Sequence, residues 1–161
     1  STQSRSSAAS DVYKRQVIFM AKPLFETTVI SNGGRDGKVF SEDNTFYQDL
    51  AVPKEMGGNG VTESNPEQLF AAGYSSCFNN ALMHILKGAD KGTIEPEVRA
   101  TAYLLPDKSD GGVKLAAELD VSLKDLSQEE AEMFVEKAHN YCPYSKALKD
   151  TIDIEITVSV N

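Results

Sequence analysis

The chain has 161 residues, enough for one domain with a hydrophobic core. Hydrophobic residues make up 40% and charged residues 25%, ordinary values for a globular protein, and no apolar run approaches the length that spans a bilayer. The formal net charge of -8 opposes binding to a phosphate backbone. We therefore expect neither nucleic acid nor a membrane as a partner.

Residues 1–19 do not resemble part of a fold. The first ten are almost all Ser, Ala, Thr, Gln and Arg, without an apolar period, and the apolar stretch after Arg15 is too short for a signal peptide. We interpret 1–19 as an added leader or a disordered tail, with Met20 as the natural start. A single domain is predicted over 20–161, and a cytoplasmic location is expected.

The first elements are predicted strands. Phe25–Ser31 is rich in Thr, Val and Ile, and a glycine-rich turn over 32–37 separates it from a second strand at Lys38–Ser41. Phe46–Val52 predicts a third strand, which Pro53 ends.

A long helix is predicted to follow, with Asn65 as N-cap and Pro66 at its first position. Its apolar run continues to Gly88, a natural stop. Gly73 interrupts the run and predicts a division of the helix. In that case Ser75 or Ser76 would cap a second helix, and Cys77 would lie in its first turn.

The second half of the sequence predicts two strands with alternating apolar residues, a helix and a last strand. Ser127 and Glu130 form the capping box of the helix, and Pro143 predicts its end, which places Cys142 there. The apolar residues at helical spacing are Ala131, Phe134, Val135 and Ala138, and those that alternate in the last strand are Ile152, Ile154, Ile156, Val158 and Val160. The order of elements predicts an α+β fold with mainly antiparallel pairing.

The two cysteines, Cys77 and Cys142, are the first candidates for chemistry. Without an export signal, a transient redox pair is plausible, although the count alone favours two inert core thiols. A nucleophilic cysteine must be a thiolate, and lowering its pKa by about two units requires about 2.7 kcal/mol from its surroundings. A helix start before Cys77 and the guanidinium of Arg35 could supply it.

Other roles fit the same residues. A metal site would need Cys77 and Cys142 to converge with His84 and His139, at spacings that no common motif uses. A Cys–His hydrolase would use His139 as its base, although a cation favoured by a helix C-terminus is the simpler interpretation of His139. For His84 the simpler interpretation is a residue that caps or packs its helix.

Arg35 and Glu67 also have simple interpretations. Arg35 could be a solvated turn residue, and Glu67 an acid favoured in the first turn of a helix.

Three motifs carry a family resemblance. The segments 65–78, with Cys77, and 137–145, with Cys142, resemble the two cysteine motifs of the organic hydroperoxide resistance proteins, and the turn 33–37 resembles the turn with their arginine. The chain is identified from about Met20 onward as a member of the Ohr branch of the Ohr/OsmC family. The resemblance implies an OsmC-like fold, a curved, mainly antiparallel sheet with long helices, in an intertwined homodimer.

The resemblance also implies a function. Cys77 would reduce an organic or fatty-acid hydroperoxide and become a sulfenic acid, which Cys142 would convert to a disulfide. Arg35 would stabilise the Cys77 thiolate, and Glu67 would orient Arg35. A dihydrolipoyl group of a lipoylated protein would restore the thiols, without a tightly bound cofactor or metal. The alternative is a redox sensor or binding module that oxidises reversibly without turnover.

Overall fold

The computed structural model describes residues 22–59 and 64–161. The chain divides into two compact units, Ser1–Asp49 and Leu50–Asn161. The predicted leader, 1–19, lies outside the described residues. The single domain over 20–161 stays a prediction.

The first unit contains a three-stranded antiparallel sheet in the order β1–β2–β3, with bounds Val29–Asn32, Lys38–Ser41 and Tyr47–Asp49. All three predicted strands are present, but the first and third are shorter than predicted. Only four residues of β1 have a partner because β2 is four residues long. After Asp49 the chain leaves this sheet, since Leu50 pairs with Ser64 in an isolated parallel bridge.

The long helix α1 spans Pro66–Gly88 without a break. Its start agrees with the prediction, because Asn65 accepts a hydrogen bond of 2.8 Å from the backbone N–H of Gln68. The predicted division at Gly73 is wrong. A glycine in a helix interior costs about 1 kcal/mol relative to alanine, which is too little to end a helix that packing holds in place.

A second three-stranded sheet has β5 (Val113–Leu123) at its centre, β4 (Glu97–Pro106) on one side and β6 (Asp153–Val160) on the other. β4 and β5 form an antiparallel hairpin, whereas β6 pairs with β5 in parallel. A helical crossover separates β5 from β6, as parallel neighbours require. The predicted α+β class with mainly antiparallel pairing is confirmed.

Helix α2 spans Gln128–Tyr141 and begins with the predicted capping box of Ser127 and Glu130. Its four predicted core residues are all buried. Pro143 ends α2 as predicted, but it also begins an unpredicted helix, α3, at Pro143–Leu148. Proline suits the first position of a helix, so one residue serves both purposes. Cys142 is the single extended residue between the two helices, with φ -62° and ψ 127°.

The core of the second unit lies between one face of the sheet β4–β5–β6 and the helices. It is built from the inward residues of β5 and the apolar sides of α1 and α2; its fully buried members include Phe78, Leu82, Leu86, Leu119 and Leu123. Within residues 22–59 and 64–161, no helix has the length and hydropathy to cross a bilayer. The sheet thus supports α1, on which Cys77 is carried.

Candidate active site

The two cysteines meet in the second unit. Cys77 lies in the middle of α1, and Cys142 lies at the α2–α3 junction. Their thiols lie close enough for Cys142 to affect the ionisation of Cys77, and neither forms a disulfide. Cys142 is fully buried in the core, whereas Cys77 is only half-buried. One thiol is therefore partly accessible to solvent, and the other is not.

Three features of its surroundings act on the ionisation of Cys77. Burial raises the pKa of its thiol, a hydrogen bond from the backbone N–H of Tyr144 lowers it, and the nearby Cys142 raises it, with a net rise. The predicted helix start just before Cys77 is wrong, since α1 continues through Gly73 and the dipole effect of its own N-terminus fades within the first turn. In this unit the thiol form of Cys77 is favoured.

Tyr144 is a site residue that the sequence interpretation missed. Its ring stacks on that of Tyr74, with centroids 5.8 Å apart and an interplanar angle of 20°. A Cβ added at Gly73 would lie 2.5 Å from the Tyr144 hydroxyl and 3.0 Å from its Cζ. Gly73 therefore gives the Tyr144 side chain its place on α1, and the backbone of Tyr144 reaches Cys77 from there. The available signal was a glycine inside an otherwise apolar helix.

A buried pair of hydroxyls lies beside the thiols. Tyr74 Oη and Ser145 Oγ are 2.9 Å apart, and both side chains are fully buried. Burial raises the pKa of Tyr74, the bond to Ser145 opposes the rise, and the neighbouring Cys142 and Cys77 add to it. The pair joins α1 to α3 next to the cysteines.

Arg35 lies in the first unit, in a single 3₁₀ turn at Gly34–Asp36. Gly33 and Gly34 have φ of 83° and 61°, values that L side chains rarely adopt. A Cβ at Gly37 would overlap the carbonyl oxygen of Asn32. The glycines thus form a tight turn between β1 and β2 that presents a half-buried arginine.

Glu67 lies in the first turn of α1, where the helix dipole favours an acid. It lines an open cavity of about 400 Å³, and Met56, Ala71 and Leu104 are among the apolar residues there. Ten residues separate Glu67 from Cys77 on one continuous helix, about 15 Å along its axis. Glu67 can therefore influence Cys77 only through another group.

The histidines have different surroundings. His84 stacks on Tyr141 with ring centroids 5.0 Å apart, which agrees with its predicted packing role. His139 has a buried Nδ1 without a hydrogen-bond partner, and burial together with Lys149 lowers its pKa. The interpretation of His139 as a favoured cation is therefore wrong, because burial outweighs the helix dipole. Residues 22–59 and 64–161 contain no group of three or more His, Cys, Asp or Glu placed to hold a metal ion.

Known proteins resemble this chain over most of its length. The model of the OsmC-like protein family matches residues 57–157. The chain is 87% identical over 142 residues to the "organic hydroperoxide resistance protein-like 2" of Staphylococcus saprophyticus, which covers 88% of this chain and all of that protein.

The chain belongs to the Ohr/OsmC family. Among solved structures, that of the organic hydroperoxide resistance protein OhrB of Bacillus subtilis is 40% identical with a TM-score of 0.77. The match covers 85% of this chain and the whole OhrB chain. An organic hydroperoxide resistance protein of Elizabethkingia anophelis is 38% identical with a TM-score of 0.81, and the match covers 88% of this chain and the whole of that protein's chain. The predicted OsmC-like fold is confirmed. The homodimer stays a prediction.

Replacement of Gly73 tests the contact with Tyr144. Gly73→Ala favours the helix by about 1 kcal/mol but forces the Tyr144 ring away. We expect the pKa of Cys77 to rise further as the bond from the Tyr144 N–H weakens. The measurement is pH-dependent alkylation in a Cys142→Ser background. Gly88→Ala is the matched control, because nothing lies within 4 Å of a Cβ at Gly88. Equal pKa values in the two variants would contradict the assignment.

His139 predicts a pH dependence of stability. Its pKa is lower in the folded than in the unfolded state, so the unfolded state binds the proton first as the pH falls. The stability present above about pH 6.5 is lost as the pH falls towards the folded pKa. His139→Gln should reduce this loss, measured as the free energy of unfolding between pH 7.5 and pH 5. His84→Gln is the control, and the same slope in His139→Gln and the unmodified protein would refute the explanation.

Proposed function

We propose that the protein is a thiol peroxidase that reduces organic hydroperoxides to alcohols. Its relatives are named for organic hydroperoxide resistance. The observation that carries the proposal is the contact between two reduced thiols of unequal exposure. A bulky hydroperoxide can approach the half-buried Cys77, whereas Cys142 is fully buried in the core and closed to it.

The reaction proceeds in three steps. The Cys77 thiolate attacks the terminal peroxide oxygen, the O–O bond breaks, and the alkoxide takes a proton and leaves as an alcohol. The Cys142 thiol then attacks the sulfur of the Cys77 sulfenic acid, which forms the Cys77–Cys142 disulfide and releases water. An external dithiol reduces the disulfide by exchange and returns both thiols.

Arg35 and Glu67 act on the first step in this proposal. Burial and Cys142 raise the pKa of Cys77 within the second unit, so a thiolate near pH 7 requires a cation from outside it. Arg35 is the candidate cation, and its guanidinium would also polarise the peroxide. Glu67 would orient Arg35 through a carboxylate–guanidinium pair.

The remaining parts follow the family. The electron donor is a dihydrolipoyl group on a lipoylated protein, and no cofactor or metal is tightly bound. The substrate is an organic or fatty-acid hydroperoxide, and the protein is a cytoplasmic homodimer. A reversible redox sensor is the alternative, and catalytic turnover separates the two.

The cysteine variants test the order of the steps. With cumene hydroperoxide and dihydrolipoamide, Cys77→Ser should lose peroxidase activity, because serine is not ionised near pH 7. Without any dithiol, Cys142→Ser should still consume about one equivalent of hydroperoxide, but it should accumulate the Cys77 sulfenic acid instead of the disulfide. Full turnover by Cys77→Ser would refute its role as nucleophile, and stoichiometric oxidation of the unmodified protein without turnover under any dithiol would favour a sensor.

The arginine variant tests activation. Arg35→Ala should raise the pKa of Cys77 above its ordinary value and reduce the rate of the first step at pH 7 by at least tenfold, because each unit of pKa changes the thiolate fraction about tenfold. Arg99→Ala is a control of the same charge change on an exposed strand position. The measurement is pH-dependent alkylation together with single-turnover kinetics. An unchanged pKa would remove Arg35 from this role.

A further inference from the structure

Two pairs of side chains join α1 to α3, and we call each pair a rung. Tyr74 and Cys77 are three residues apart on α1, and Cys142 and Ser145 are three residues apart at the start of α3. Residues three apart lie on the same side of a helix. One rung is the contact between the thiols, and the other is the 2.9 Å hydrogen bond between Tyr74 Oη and Ser145 Oγ.

The hydroxyl rung is unusual for its position. Among residues 50–59 and 64–161, Ser145 is the only buried residue that is polar or charged and not aromatic, apart from the thiol of Cys142. Breaking a buried hydrogen bond leaves the remaining hydroxyl without water or a partner, so the bond strongly prefers its present geometry.

The Tyr74 end of this rung is held in place by aromatic packing. The Tyr74 ring contacts Phe70 and Phe78 edge-on, with centroids 5.9 Å and 6.4 Å away, and stacks on Tyr144. A ring held on several sides has few alternative positions. Its hydroxyl is therefore a fixed point to which Ser145, and with it α3, is tied.

The second redox step needs this constraint more than the first. A group added to the Cys77 sulfur, such as the oxygen of a sulfenic acid, has to be accommodated where the two thiols touch. The sulfur of Cys142 must nevertheless stay in line with the bond that it attacks. A tie one helical turn away preserves that alignment while the thiol contact itself is disturbed.

We propose that Tyr74 and Ser145 are positioning residues for disulfide closure, which hold Cys142 against an oxidised or derivatised Cys77 through their buried hydrogen bond. The proposal deepens the proposed function and rests on it for its biological meaning. Neither side chain takes part in the attack on the peroxide. Their loss should therefore slow closure and leave the first step nearly unchanged.

Closure can be measured without a peroxide. The aromatic disulfide 5,5′-dithiobis(2-nitrobenzoate) reacts with the Cys77 thiolate, which forms a mixed disulfide and releases one thionitrobenzoate. The Cys142 thiolate then attacks the Cys77 sulfur, forms the protein disulfide and releases the second. The two releases report the first step and closure separately, and mass spectrometry of the Cys142→Ser variant identifies the mixed disulfide on Cys77.

Tyr74→Phe and Ser145→Ala are expected to slow the second release about tenfold, the upper range for one hydrogen bond, while the first release changes less than twofold. The double variant should be no slower than the slower single variant, because both remove the same bond. Ser145→Thr, which keeps a hydroxyl, should recover part of the rate.

Two controls separate positioning from a general loss of stability. Ser127→Ala removes the capping hydroxyl of α2, at the far end of the helix that precedes Cys142, and destabilises the protein without touching the rung. Tyr103→Phe removes a tyrosine hydroxyl bond to Glu118 on the sheet. Both should release the second thionitrobenzoate at the unmodified rate.

The outcomes are distinct. Unmodified closure rates in Tyr74→Phe would overturn the proposal, as would an equal slowing in Ser127→Ala. If Ser145→Ala does not fold, Tyr74→Phe decides, because it removes a single oxygen from an intact ring. Rapid closure in the unmodified protein together with no hydroperoxide turnover would refute the proposed function and leave the positioning role standing.

Discussion

The contact between the thiols of Cys77 and Cys142 depends on the change of backbone direction at Pro143. Proline keeps the preceding residue out of helical geometry, so Cys142 is extended while the residues on both sides are helical. Its N–H still bonds to Ala138, at 2.8 Å, and its carbonyl accepts from Lys146 at 2.9 Å. Cys142 thus serves both helices at once, and its backbone is fixed at the point where it meets α1.

The same contact opposes the chemistry that a nucleophile needs. Packing one thiol against another in a core gives a close partner for a disulfide, but it also removes water and disfavours the charged form of Cys77. The backbone N–H of Tyr144 offsets only part of this. A dithiol that is well placed to close is therefore poorly ionised by its own unit, which is the physical reason to look for a cation elsewhere in the protein.

The sequence predicted those features that have local causes. The caps at Asn65 and Ser127 and the core stripe of α2 follow from neighbouring residues, and the structure confirms them. The role of Gly73 could not be predicted from its neighbours, because it depends on the ring of Tyr144, which lies 71 positions later in the chain. The family resemblance of the motifs identified Cys77 and Cys142 as site residues. The hydroxyl pair beside them became visible only in the tertiary structure.

The aromatic residues around the thiols explain how a reactive pair coexists with a packed core. Tyr74 is fully buried and Tyr144 is 38% exposed, so the stack of the two rings runs from the interior to the surface beside Cys77. The buried ring fixes α3, and the outer ring places the backbone N–H that bonds to Cys77. Because both tasks fall to one stack, a shift of Tyr144 would change ionisation and a shift of Tyr74 would change closure. In the proposed mechanism, attack and resolution therefore depend on different side chains of the same stack.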